Sequence, residues 1–299
     1  MFGFSQKSGV FFLPFSYELS CRSHLFFLLL HVMMRFIALG SGSSGNCYCL
    51  FTENDGLMID AGIGVRSLKK FFNEYGIVNT SIHSILLTHD HADHVKSVGS
   101  LSHELGVPVY STRMVHQGIR NNYCVRHKVE AAHVRYIEKN KSIMIGDFEV
   151  MPFHVPHDST DNVGFMVTQG DVRFCLVTDV GHITDEIKSF IQKANYLVIE
   201  ANYDEEMLQG GTYPQHLKVR INSDNGHLSN RDCGVALAEN ATPELRHVWL
   251  CHLSEENNHP ELARITVEQV LRQYGIIAGK DFKLEILKRK TPSGFYELR

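Results

Sequence analysis

A cluster of histidines and aspartates directly after an apolar run constrains this chain more than any other sequence feature. The run Leu86-Leu87-Thr88 is followed by His89-Asp90-His91-Ala92-Asp93-His94. Residues two apart in extended backbone point the same way, so His89 and His91 are expected to bind one cation. Asp93 and His94 lie where a helix is predicted to begin and are expected to face a second cation. The alternative is a polar loop of hydrogen-bonded histidines, but ligand-type groups this dense more often form a site.

Further ligand-type residues follow other predicted strands, where loops commonly display site residues. His157 follows the strand Phe148–Val155, Asp179 follows the run ending at Val177, and His252 follows Cys251. The predicted ligands of one cation are His89, His91 and His157; those of the other are Asp93, His94 and His252, and Asp179 bridges the two. His154 is an alternative to His157 but lies inside its strand, and Asp90 and Asp158 are expected to orient neighbouring imidazoles. This ligand set suits two divalent metal ions, Zn²⁺ or Mn²⁺.

These segments, in this order, resemble the motifs of the metallo-β-lactamase superfamily. The resemblance extends from Met34 to near the C-terminus and implies an α/β fold, a four-layer αβ/βα sandwich with a dinuclear metal site on one rim of its paired sheets. Residues 34–299 are therefore the predicted hydrolase domain. Residues 1–33 are predicted to be an N-terminal extension upstream of the functional start. A processed signal peptide is the alternative, against which the absence of a small-residue cleavage site counts.

Two aspartates indicate the branch of the superfamily. The antibiotic-hydrolysing branch with two zinc ions commonly lacks the aspartate corresponding to Asp93 and has a cysteine at the position of Asp179. Aspartate at both positions resembles the phosphodiesterase, nuclease, glyoxalase II and lactonase branches. The segments Arg35–Asn46 and His252–Asn258 look like the bacterial YycJ (WalJ) group, which is associated with exonuclease activity on DNA. The intervals between the motifs are too short for the large inserted domain of β-CASP nucleases, which implies a compact hydrolase.

His227 is a candidate catalytic residue. The segment Asn225–Asn230 resembles the G-H-L-S segment of phosphodiesterase and ribonuclease Z relatives, in which the histidine contacts the scissile phosphate. Such a histidine neutralises charge on phosphoryl oxygens or protonates the leaving alkoxide. The alternative is that Ser229 or Asn230 caps a helix and His227 is a bystander. Asp93 is predicted to be a second catalytic residue besides its role as a ligand.

Charge and cysteine content add the expected partner and compartment. The chain has a net charge of −4, but between Arg113 and Lys141 seven basic residues stand against Glu130 and Glu138. This segment, with Lys218 and Arg220, is expected to contact a DNA backbone, or is a solvated charged face. Seven cysteines without a C-x-x-C pair favour reduced thiols and a cytoplasmic protein. No apolar run is long enough to span a membrane.

The predicted function is therefore a metal-dependent phosphodiesterase or 5′–3′ exonuclease that attacks DNA with a water activated between two cations. Hydrolysis of a small ester, thioester or lactam is the alternative, because glyoxalase II and lactonases share the same ligand types. A non-catalytic metal-binding regulator is a third interpretation, against which the intact ligand set argues.

Overall fold

The computed structural model describes residues 34–299, together with Met1 and Gly3. The predicted N-terminal extension thus lies almost wholly outside the described residues, and its boundary stays a prediction. Residues 34–299 belong to one compact unit. Within the described part of the chain, no helix combines the length and the apolar character needed to cross a bilayer.

The first of two seven-stranded sheets is antiparallel at one side and parallel at the other. Its strands, in chain order, are β1 (Met34–Gly40), β2 (Cys47–Phe51), β3 (Gly56–Ile59), β4 (Ser84–Leu86), β5 (Val109–Ser111), β6 (Val134–Tyr136) and β14 (Tyr296–Leu298). Their spatial order is β14-β1-β2-β3-β4-β5-β6, and pairing is parallel from β3 to β6. The carboxyl ends of β3 and β4 therefore lie at the same edge, where the metal-type residues follow.

The second sheet has the same construction. Its strands are β7 (Ile143–Ile145), β8 (Phe148–His154), β9 (Val163–Gln169), β10 (Val172–Val177), β11 (Tyr196–Glu200), β12 (His247–Cys251) and β13 (Lys283–Ile286). They are ordered β13-β12-β11-β10-β9-β8-β7, with parallel pairing from β10 to β13. The parallel strands β10, β11 and β12 thus end side by side.

Helices cover the outer faces of both sheets. They are α1 (Val65–Tyr75), α2 (Ala92–Val95), α3 (Val98–Leu105), α4 (Arg113–Asn121), α5 (Asp185–Lys193), α6 (Glu205–Gly210), α7 (Gln215–Ile221), α8 (Asn230–Asn240) and α9 (Pro260–Gln273). Threonines begin two of them: the Thr112 hydroxyl accepts from the amide of Val115, and Thr184 caps α5 in the same way.

Alternating burial along the strands produces the layers. In β1, Phe36 and Ala38 pack between the two sheets, whereas Ile37 and Leu39 pack under the helices of the first sheet. The corresponding outer cluster of the second sheet contains Ile187 of α5 and Leu271 of α9. The order helix, sheet, sheet, helix confirms the predicted four-layer sandwich.

The sequence pattern predicts that the helix beginning at Asp93 continues to Leu105; this prediction is wrong, because the segment divides into α2 and α3. The amide of Ser97 donates to the carbonyl of Ala61 at 3.0 Å rather than to that of Asp93. The Asp93 carbonyl instead accepts from the amide of Asn46 at 2.8 Å. Long-range bonds to the loops after β1 and β3 therefore replace the helical ladder at this point.

Candidate metal centre

The centre lies at the edge where strands of both sheets end, and its backbone is strained there. Asp60 and His252 directly follow β3 and β12, Asp179 lies two residues after β10, and their φ angles are 62°, 52° and 52° in the order Asp60, Asp179, His252. A non-glycine residue with positive φ is uncommon, and such residues cluster at functional sites. Each strand thus turns sharply to direct a polar side chain into the space between the sheet ends.

His89, His91 and His157 form the first group, and their ligand atoms lie within 4.8 Å of one another. His157 Nε2 is 3.3 Å from His91 Nδ1, and its Nδ1 lies 2.9 Å from the Gly226 carbonyl, which it can donate to. His89 Nε2 is buried without a hydrogen-bond partner among the described residues. Burial, reinforced by His94, holds the pKa of His89 well below its usual range. The imidazole is therefore neutral, as a metal ligand must be.

Asp93, His94 and His252 form the second group, within the same 4.8 Å limit. One carboxylate oxygen of Asp93 lies 3.4 Å from His252 Nε2 and 3.6 Å from His94 Nε2. Both histidines are buried, whereas the Asp93 side chain is 23% exposed. Asp93 is thus the member of this group that is open to a substrate.

Asp179 lies between the two groups. One of its oxygens is 3.1 Å from His94 Nε2, and the other is 3.7 Å from His157 Nε2. Burial alone would raise the pKa of Asp179, but His252 and His94 hold it well below its usual range. An ionised carboxylate with one oxygen toward each group has the arrangement that a bridging ligand needs.

Two buried carboxylates that the sequence prediction missed orient these histidines. Asp60 lies 2.7 Å from Nδ1 of His94 and also accepts from the Thr88 amide at 2.9 Å. Glu200, the last residue of β11, lies 2.9 Å from Nδ1 of His252. Such carboxylates fix the ring and leave Nε2 free for a cation. The signal was present, since both residues end buried strands, like Asp179.

Asn46 is a third residue that the prediction missed. Its amide nitrogen lies 2.8 Å from Nε2 of His94 and 3.3 Å from an oxygen of Asp93. Its amide oxygen accepts from the amide of Gly42 at 2.8 Å, which fixes the side chain in the loop after β1. A cation on His94 would have to replace the contact between the amide and the ring.

His227 lies beside both groups rather than in them. Its Nδ1 is 2.8 Å from Glu200, and its ring centroid is 5.1 Å from that of His157 and 5.4 Å from that of His252. Burial would lower the pKa of His227, but Glu200 raises it above the usual value. The ring lines a cavity of about 410 Å³ with Tyr203 and Leu228. His227 therefore lies beside the candidate ligands His157 and His252, and the cavity is on a side that none of the seven proposed ligands lines.

The segment Asn225–Asn230 also caps a helix, as the alternative interpretation of the sequence predicts. The hydroxyl of Ser229 accepts from the Asp232 amide at 3.0 Å and caps α8. The helix cap and a catalytic role for His227 are thus compatible, because Ser229 forms the cap while His227 lies beside the candidate ligands.

The remaining candidates lie outside the cluster. His154 is exposed, with its Nδ1 3.0 Å from Lys139 Nζ. The expectation that Asp90 orients an imidazole is wrong, since its carboxylate accepts from the amide and hydroxyl of Thr160. Asp158 binds the guanidinium of Arg220, although one of its oxygens is 3.4 Å from His157 Nε2. The ammonium of Lys218 is bound by the Gln209 carbonyl at 2.6 Å.

The chain is similar to one known protein family and to two named exodeoxyribonucleases. A family described as the β-lactamase superfamily domain matches residues 56–252. Exodeoxyribonuclease YycJ of Bacillus anthracis is 33% identical over 260 residues, which are 87% of this chain and 97% of that protein. Exodeoxyribonuclease WalJ of Streptococcus pneumoniae is 34% identical over 250 residues, 84% of this chain and 93% of that protein.

A solved structure shares the fold. The metallo-β-lactamase fold protein YhfI of Bacillus subtilis superposes with a TM-score of 0.66 at 18% identity. The superposition covers 89% of this chain and 99% of that protein. At this identity the likeness shows the fold alone, and it confirms the sandwich predicted from the motifs.

Proposed function

The chain belongs to the metallo-β-lactamase superfamily and, within it, to the family of the YycJ and WalJ exodeoxyribonucleases, and on that premise we propose that it is an exonuclease that hydrolyses phosphodiester bonds of DNA. That the protein is a metal-dependent hydrolase follows from the family. The proposal goes further in three respects: the nucleic-acid substrate, two cations of Zn²⁺ or Mn²⁺, and the ligand set predicted from the sequence.

The observation that carries the proposal is the convergence of seven side chains on one edge of the sheets. The proposed ligands are His89, His91, Asp93, His94, His157, Asp179 and His252. The unpartnered Nε2 of buried His89 supports a cation in the first group, since an orphaned buried polar atom is otherwise costly. Bound divalent cations supply Lewis-acid activation of a water and of phosphoryl oxygens at neutral pH.

The protein groups around the ligands have separate tasks in this proposal. His227 donates a proton to the leaving oxygen of the cleaved strand, and Glu200 holds its ring and raises its pKa. Asp93 is proposed as a catalytic residue as well as a ligand, because its carboxylate is more exposed than that of Asp179, at 23% against 3%. Asp60 fixes the His94 ring.

The proposal includes that the protein works in the reducing environment of the cytoplasm. The six cysteines among the described residues are free thiols, and five of them are buried. Burial raises the pKa of the Cys175, Cys233 and Cys251 thiols, so they resist ionisation and oxidation. These cysteines need no oxidising compartment.

A substrate panel tests the proposed function. The purified protein is assayed with Mn²⁺ and with Zn²⁺ on bis-p-nitrophenyl phosphate, 5′-phosphorylated DNA, S-lactoylglutathione and nitrocefin. We expect hydrolysis of the two phosphodiesters. Faster turnover of S-lactoylglutathione or nitrocefin than of DNA would overturn the proposal in favour of a small-molecule hydrolase.

A further inference from the structure

The basic segment between Arg113 and Lys141 is mostly engaged by the protein itself. The engaged side chains are Arg113, stacked 4.4 Å over the Tyr136 ring; Lys128, on the Ile119 and Asn122 carbonyls; Arg135, on the Ala132 and Val134 carbonyls; Lys139, on Asp161; and Lys141, on Glu138. Arg120 and Arg126 are exposed and have no hydrogen-bond or ion-pair partner within residues 34–299. The broad patch expected from the sequence therefore reduces to two available guanidinium groups.

Tyr123 lies between these two arginines in the chain and is 92% exposed. Tyr48, Tyr196 and Tyr203 are each less than a tenth exposed, and the exposed Tyr136 and Tyr274 reach only 45% and 52%. A single exposed apolar side chain needs no explanation by itself. An exposed ring with a free arginine three residues to either side, however, is the combination that binds unpaired nucleic acid, by stacking on a base and pairing with phosphates.

The loop that carries Tyr123 is fixed to the metal motif. The side-chain amide of Asn122 donates to the Asp90 carbonyl at 2.7 Å, and Asp90 lies between His89 and His91. The Asn122 side-chain oxygen accepts from the Cys124 amide at 2.9 Å, and Lys128 binds the Asn122 carbonyl at 2.6 Å. Tyr123 therefore directly follows a residue, Asn122, that is hydrogen-bonded to the segment between the candidate ligands His89 and His91.

We propose that Arg120, Tyr123 and Arg126 bind the unpaired strand of a DNA end next to the metal centre. The Tyr123 ring stacks on one base, and the two guanidinium groups pair with flanking phosphates. In a duplex the bases are already stacked on each other, so the ring selects single-stranded ends. This inference rests on the proposed function and adds the form of the substrate.

Binding and kinetics of matched variants test the proposal on the metal-loaded protein. Tyr123→Ala is compared with Tyr123→Phe, which keeps the stacking ring, and with Tyr274→Ala, an exposed tyrosine at the far end of α9. The probes are a phosphorothioate-linked oligothymidylate and its abasic counterpart, measured by fluorescence anisotropy. We expect Tyr123→Ala to weaken binding of the oligothymidylate roughly 5- to 100-fold and binding of the abasic strand little. Tyr123→Phe and Tyr274→Ala should bind like the wild type.

The arginines have a separate readout. The double variant Arg120→Gln with Arg126→Gln should reduce the slope of log affinity against log salt by about 1.4, since each phosphate contact to a single strand contributes about 0.7. Lys280→Gln, an exposed cation after α9, should leave the slope unchanged.

Hydrolysis assays distinguish a failure of the proposed strand-binding site from a failure of the proposed exonuclease function. Bis-p-nitrophenyl phosphate has no base, so all these variants should hydrolyse it at the wild-type rate, while Tyr123→Ala raises the KM for single-stranded DNA. If wild-type protein cleaves DNA and Tyr123→Ala has the same KM, or loses equal affinity for the abasic strand, this inference is overturned and the proposed function stands. If wild-type protein cleaves the small diester but no DNA, the proposed function itself fails.

Discussion

At the scale of single residues, burial and neighbouring charges give the side chains of the candidate centre different pKa shifts. Asp179 is buried and ionised between the two histidine groups, whereas Glu200 shares one carboxylate between His227 and His252. Burial holds the pKa of His89 well below its usual range, whereas Glu200 raises the pKa of His227. Burial and the nearest carboxylate thus shift the pKa values of these two neighbouring imidazoles in opposite directions.

His227 is predicted to matter most when the leaving group is poor. In His227→Ala, we expect hydrolysis of DNA to fall about 100-fold or more, because the alkoxide leaves without a proton. Hydrolysis of bis-p-nitrophenyl phosphate should fall much less, since p-nitrophenolate needs no proton. Kinetics beside metal analysis check this, with His103→Ala as the exposed control. Equal losses on both substrates, or loss of metal, would contradict the role of an acid.

The sequence was sufficient to predict which side chains meet, because each predicted ligand follows a buried strand. Asp60 and Glu200 also end buried strands, but the sequence does not indicate which ring each carboxylate holds, because their partners lie 34 and 52 residues away in the chain. Only the pairing of parallel strands brings these carboxylates to the Nδ1 atoms of the ligand histidines. The assignment of the seven residues as ligands stays a prediction.

At the scale of elements, close packing of α4 against the metal motif fixes the loop from His89 to His94. A Cβ at Gly118 would overlap the Asp90 carboxylate, which is held in place by the amide and hydroxyl of Thr160. Sequence patterns predicted neither α4 nor the short strands β5, β6 and β7, since three-residue strands carry too little periodicity. Longer patterns in the sequence predict helices from about Val65 to Tyr75 and over Asn230–Asn240, and these are the bounds of α1 and α8.

Gly118→Ala should therefore disturb both stability and metal binding. We expect a loss of about 1–3 kcal/mol in the free energy of unfolding, as for other overpacked sites. Gln117→Ala, on the exposed side of the same helix, should change it by less than about 0.5 kcal/mol. Urea unfolding and metal titration measure the two effects. Unchanged metal affinity in a destabilised Gly118→Ala protein would mean that α4 does not support the motif.

At the scale of the whole molecule, aromatic rings join the two sheets. Phe36 of the first sheet lies 4.9 Å, centroid to centroid, from both Phe174 and Trp249 of the second. His247 stacks on Trp249 at 4.0 Å. Since the ligands come from both sheets, the centre depends on this interface.

His247 makes the fold sensitive to acid. Burial, opposed by Glu285, lowers the pKa of His247 to about 4. The unfolded chain therefore binds a proton below about pH 6.5 that the folded protein resists, so stability falls as the pH drops from there toward 4. In His247→Phe, which keeps a ring on Trp249, this contribution is absent. Urea unfolding at about pH 7 and about pH 5 should give a larger loss for the wild type than for the variant; equal losses would contradict the assignment.

The most direct test of the central claim measures metal content and DNA hydrolysis on the same preparations of wild-type and Asp179→Asn protein. Asp185→Asn, an exposed change on α5, is the control. The wild type and the control should retain about two metal equivalents and hydrolyse DNA, whereas Asp179→Asn should lose metal and activity together. An Asp179→Asn protein that contains no metal and still hydrolyses DNA would contradict the account.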